Sequence, residues 1–109
     1  MIGGLALCLG LLAVPALAAD AYVRIAAPAD GATLDGRKPA KLVYEVQPGA
    51  KGHHVHVFVD GKEVGILRQL QGSYTLEALS PGQRTVCIKI ANRAHVPTGV
   101  EQCIKVRVQ

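Results

Sequence analysis

From residue 20 onward apolar and polar residues mostly alternate, and no stretch repeats at the roughly 3.6-residue helical period. Runs at 21–28, 41–49, 54–59, 62–67, 73–79, 84–91 and 100–108 read as β-strands. Pro28 closes the first, and Pro48-Gly49 ends the second. The connection ADGATLDGRKPA is rich in turn formers, as are SPGQ and NRAHVPTG further on. Asp60-Gly61 is the strongest hairpin signal in the chain, because its glycine tolerates the positive φ that a two-residue turn demands. About seven short strands with turns between them, in about ninety residues, predict an immunoglobulin-like antiparallel β-sandwich.

Two registers follow by arithmetic. A turn at Asp60-Gly61 sets Val57 opposite Val64 and Val55 opposite Ile66, four residues expected in the core. Strand alternation then turns His54, His56 and Phe58 to the other face. In the last hairpin, pairing Cys87 with Cys103 sets Lys89 against Glu101, Val86 against Ile104 and Ile90 against Val100. Val86, Ile88, Ile90, Val100, Ile104, Val106 and Val108 face inward, and only Gln102 breaks that set with a polar side chain. The sulfurs lie on the outward face, so a Cys87–Cys103 disulfide would link neighbouring strands of one sheet and not cross the core.

The start of the chain changes the picture. Residues 2–19 are apolar apart from glycines and one proline, and end in small residues. Ala16 and Ala18 fit the positions before a secretory cleavage site, which predicts a signal peptide over 1–18 and a domain over 19–109. Leu7 before Cys8 does not fit a lipoprotein site, and no basic residue precedes Arg24, so a few residues are expected upstream. After cleavage no apolar run is long enough for a transmembrane segment, and the expected location is the periplasm or outside the cell. An exported chain with two remaining cysteines predicts the Cys87–Cys103 bridge, a useful staple for so small a core. The 12 basic residues are scattered among 8 acidic ones, which gives a mild preference for anions and no nucleic-acid signature.

Candidate chemistry centres on GHHVHVFVDG at 52–61. In immunoglobulin order the histidine strand is C and the cysteine hairpin is F and G, three strands that share a sheet with F central. His53 before strand C and His95 in the F–G loop then fall at one end of the sandwich, with His54 beside them and His56 next along the face. Imidazole nitrogens are common ligands for zinc and copper, and alternate strand positions can share one ion. His54, His56 and His95, with His53 behind them, are the candidate metal ligands. The mature chain has no methionine and its cysteines are expected to be oxidised, which favours Cu(II) or Zn(II) over Cu(I). The competing reading is a solvated sheet face that happens to carry imidazoles. Phe58, Lys89, Lys105 and Arg107 form a second candidate, an outward C-F-G surface for a periplasmic or extracellular protein or glycan. The chain has no nucleophile elbow, acid pair or phosphate loop, so a non-enzymatic module is expected, acting by binding or as an accessory domain with no required cofactor.

GHHVHVFVDG, then LSPGQRTVCIKIANRAHVP, then VEQCIKVRV resembles a group of small exported bacterial domains of uncharacterised function. That group carries a Gly-His-His-x-His-like strand, a Leu-x-Pro-Gly-x-His-Thr turn and an Asn/Asp-x-x-His-x-Pro loop. Leu79, Pro81, Gly82 and Thr85 match it, as do His53, His54, His56, His95 and Pro97. Arg84 stands where the pattern has a histidine, which removes one possible ligand, and the cysteine pair is not part of the pattern. The resemblance implies an exported immunoglobulin-like fold; a fold alone does not assign a function.

Overall fold

The computed structural model describes residues 20–109, so the expected signal peptide at 1–18 lies outside the described residues. The described chain is all β. Its strands are β1 (Tyr22–Ala27), β2 (Thr33–Leu34), β3 (Ala40–Gln47), β4 (His54–Val59), β5 (Lys62–Leu67), β6 (Gln71–Leu76), β7 (Gly82–Ala91) and β8 (Pro97–Val108). They form a sandwich of two sheets, β1-β3-β6 and β2-β8-β7-β4-β5. The histidine strand β4 and the cysteine strands β7 and β8 share the larger sheet, with β7 between the other two. One strand lies where a turn-rich connection was expected: Thr33 and Leu34 pair in parallel with Arg107 and Val108. Two residues are too few for alternation to register.

Alternation builds the core. Leu42, Tyr44 and Val46 of β3 face Val55 and Val57 of β4, Val86, Ile88 and Ile90 of β7, and Ile104, Val106 and Val108 of β8. The last hairpin runs in the expected register from Gly82↔Val108 through Val86↔Ile104 and Cys87↔Cys103 to Lys89↔Glu101. It slips beyond that point, where the expected Ile90–Val100 pair gives way to Ala91↔Pro97. Ile90 is buried all the same, and Val100 packs against the core from partial cover. Gln102, the polar member of the inward set, accepts the Ile25 backbone N–H at 2.6 Å and so ties β1 to the opposite sheet. Cys87 and Cys103 are disulfide-bonded across adjacent strands, with Cα atoms 4.0 Å apart.

The β4–β5 hairpin corrects one expectation. Asp60 (φ 50°) and Gly61 (φ 83°) make the two-residue turn, and Val59↔Lys62 and Phe58↔Glu63 pair as the arithmetic requires. A β-bulge then inserts Val64, so Gly65 faces Val57 and Leu67 faces Val55. Val64 and Ile66, expected in the core, are each 43% exposed. The cause lies across the sandwich: a Cβ on Gly65 would stand 2.6 Å from the Tyr74 hydroxyl oxygen, and that hydroxyl donates to the Val64 carbonyl at 3.0 Å. Tyr74 fills the space a side chain at 65 would need. The bulge brings the small residue inward and carries the two branched ones out.

Candidate metal centre

Entry into β4 is sterically fixed. A Cβ on Gly52 would lie 2.3 Å from the Pro48 carbonyl oxygen and 2.6 Å from Ile90 Cγ2, so only glycine fits where the chain turns into the strand. The ladder begins at once, with the His53 N–H donating to the Ala91 carbonyl at 2.8 Å and His54 paired with Ala91. Val55 and Val57 then point inward, which puts His54 and His56 on the outer face. That face is not wet there: His54 is 1% exposed and His56 6%. The rings cover one another. Phe58 stacks beside His56 at 6.5 Å between centroids, and the His95 ring lies 4.6 Å from that of His54 and 5.3 Å from that of His56.

His95 reaches them from the β7–β8 loop, which is folded around Asn92. The Asn92 side-chain oxygen accepts the N–H groups of Ala94 at 2.8 Å and Val96 at 3.0 Å. The Asn92 N–H donates to the Val96 carbonyl, and the His95 N–H to the Asn92 carbonyl, each at 2.9 Å. This closure holds His95 at φ 65°, in the left-handed region. For a residue with a Cβ that conformation costs on the order of 1–2 kcal/mol. Such strain persists where the surroundings over-determine it, often at functional sites.

The outcome is a triangle of ring nitrogens. His54 Nε2 lies 2.9 Å from His56 Nε2 and 3.1 Å from His95 Nδ1, and the last two are 3.3 Å apart. Protons alone cannot satisfy it. A ring nitrogen bearing hydrogen cannot accept, and one without hydrogen cannot donate. However protons are assigned to the three atoms, at least one edge pairs two donors or two acceptors. A cation inside the triangle removes the conflict by taking all three lone pairs. Imidazole nitrogens at 2.0–2.1 Å from a tetrahedral metal stand roughly 3.3 Å apart, so the observed triangle fits with expansion by a few tenths of an ångström on two edges.

The atoms behind the triangle suit one set of tautomers. His56 Nδ1 donates to the Glu63 carboxylate at 2.7 Å, which leaves Nε2 with its lone pair. His54 Nδ1 contacts His53 Nδ1 at 2.9 Å, a partner that lets His54 carry its proton on Nδ1 and present Nε2 bare. Burial, first of all, and then the positive charge on His56, His95, Arg68 and His53 when protonated, push the His54 pKa below its usual 6.5. His54 is therefore held neutral, the form that ligates.

The structure thus brings His54, His56 and His95 to one point and sets His53 one shell behind. Glu63 was not singled out from the sequence, although the Asp60-Gly61 turn already placed it beside Phe58 on the outer face. Phe58 is half-buried beneath Lys89, whose Nζ lies 4.5 Å from the ring centroid and 4.0 Å from Glu101. Lys105 and Arg107 pair with Thr85 and Gln83 farther down β8, away from the histidines, and are exposed. The Cys87–Cys103 pair lies beside Glu101, but its sulfurs are bonded to each other and offer no thiolate. Arg84 works at the opposite end of β7. It donates to the Ser80 and Pro81 carbonyls and to Asp60, which pins the β4–β5 turn. Five residues of strand, about 16 Å, separate position 84 from Lys89, the partner of His56. A histidine there would not reach the triangle, so its replacement by arginine removes no ligand from this site.

No protein-family pattern matches the chain, and no curated protein does. Solved structures resemble it in fold. The fibronectin(III)-like modules of Clostridium thermocellum CbhA superpose with a TM-score of 0.68 at 17% identity, over 81% of this chain and 97% of theirs. A Jonesia denitrificans lytic polysaccharide monooxygenase gives 0.50 at 18% identity, over 75% of this chain and 60% of that one. The extracellular domain assigned to a hybrid two component system of B. thetaiotaomicron gives 0.51 at 18% identity, over 73% of this chain and 11% of that one. At these identities the likeness is one of fold: a β-sandwich of the fibronectin-III kind.

Proposed function

We propose that this domain is a binding module for one divalent transition-metal ion, Zn(II) or Cu(II). The ligands are His54 Nε2, His56 Nε2 and His95 Nδ1, with Glu63 and His53 orienting the first two. The observation that carries the reading is the set of three ring nitrogens within 2.9–3.3 Å of one another, which no arrangement of protons satisfies. Three neutral nitrogens and no sulfur suit Zn(II) and Cu(II) better than Cu(I). A disulfide-bonded domain suits an oxidising compartment, so export to the periplasm or beyond accords with the reading. A non-enzymatic role is part of the proposal: the two titratable groups beside the triangle, Glu63 and His53, are engaged behind His56 and His54. A protein or glycan partner on the outer face finds less support: Lys89 is engaged with Glu101 and Phe58, which leaves Lys105 and Arg107.

The test is thermal denaturation of the domain with Zn(II) or Cu(II) added to one equivalent. The melting temperature rises for the wild-type protein, and the rise is absent for His56→Ala, whose own fold is checked by circular dichroism. No shift at saturating metal, or an undiminished shift in His56→Ala, contradicts the reading.

A further inference from the structure

We infer that the metal-loaded site takes a small carboxylate at its open position, with Arg68 as the second contact of that ligand. This rests on the metal reading above. Among the described residues only three ligating groups converge on the point, so a tetrahedral ion keeps one position for an outside ligand. Imidazole ligates a metal in its neutral form, so the ion would retain its full charge. Glu63, the carboxylate in contact with the cluster, lies behind His56 on Nδ1 and cannot reach the open side. Of the three histidines, His95 alone is exposed, so the site opens to water on its side.

Cations line the flanks. Arg68 follows Leu67, the partner of Val55 and last residue of β5, so it leaves the strand beside His54, and one more step of the strand's alternation would set it on the outer face. It is exposed, and among the described residues it forms no ion pair. Lys89 holds the other flank opposite His56 but is engaged by Glu101. A guanidinium beside a cation site weakens the bare ion's binding, unless an anion sits between the two charges. A carboxylate meets both demands, with one oxygen on the metal and the other on the guanidinium fork.

The two charges give Arg68 opposite effects on the two ligands, and the experiment reads both. Cu(II) affinity is first measured for wild type, Arg68→Gln and the remote control Arg107→Gln. Each binds one Cu(II), and Arg68→Gln binds it as tightly as wild type or up to about fivefold tighter. A wild-type protein that takes no Cu(II) at this step contradicts the metal reading itself. Acetate is then titrated into the Cu(II)-loaded proteins and followed by the visible absorption band and by electron paramagnetic resonance. Wild type and Arg107→Gln saturate alike, and Arg68→Gln needs about three- to fivefold more acetate. If loaded wild type gives no saturable response, or Arg68→Gln responds as wild type does, the carboxylate site is wrong and metal binding stands.

Discussion

Each histidine of the triangle is placed by a different residue-scale constraint. His54 and His56 face outward because Val55 and Val57 must face inward, and His95 is held by the Asn92 turn. Glu63 is the residue whose role is easiest to isolate, since it touches the site through the far nitrogen of His56. Glu63→Gln is expected to weaken Zn(II) binding by about 10- to 100-fold while leaving the fold and the 1:1 stoichiometry intact, as measured by competition with a chromophoric chelator. An unchanged affinity would reduce the Glu63 contact to an incidental one. Strand parity and the F–G loop were legible in the sequence, and so was the meeting of the four imidazoles. Their burial was not: alternation gives the direction of a side chain and says nothing of what covers it. The cover comes from His95, Phe58 and the neighbouring rings, and so from tertiary packing.

At the scale of elements, the β4–β5 hairpin shows where arithmetic on a turn stops working. The first two pairs follow from Asp60-Gly61, and the bulge at Val64 overrides the rest. Hydrophobicity favoured Val64 and Ile66 for the core; the Tyr74 ring, nine residues beyond Gly65, decided against them. Gly65→Ala drives a methyl into that ring and is expected to destabilise the domain by about 1–3 kcal/mol, read from the urea midpoint at constant slope. A variant as stable as wild type would show that the hairpin can shift without loss. β2 escaped notice for a related reason: two residues held by parallel pairing to β8 carry no periodic signal.

The whole molecule is a sandwich with a small core and two added restraints. The disulfide joins residues 16 apart in sequence on the larger sheet. Cys87→Ala/Cys103→Ala is expected to lose about 3 kcal/mol in the chain-entropy model and to melt more than about 10 °C lower, by calorimetry. A shift of only a degree or two would show that the core alone carries the fold. The other restraint is Asp60, which joins the β4–β5 turn to β7. Its carboxylate accepts the Thr85 N–H at 2.9 Å and an Arg84 bond at 3.1 Å. The Thr85 N–H first, and then Arg84, hold its pKa below the ordinary 3.8. A carboxyl with a lower pKa folded than unfolded contributes its stability in full above the unfolded value and loses it as pH falls through the folded one. Between about pH 4 and pH 2 the wild-type domain is therefore expected to lose more stability than Asp60→Asn, which starts less stable at neutral pH. Parallel curves for the two proteins would exclude Asp60 as a source of acid lability.

The most direct measurement is the nitrogen-15 spectrum of the histidine rings during a Zn(II) titration. One equivalent should move His54 Nε2, His56 Nε2 and His95 Nδ1 to metal-bound shifts together, with His53 responding only through its contact with His54, and further zinc should change nothing more. If the three nitrogens keep their shifts through several equivalents, or only the more accessible His53 and His95 respond, the triangle is a packing feature and does not hold a metal.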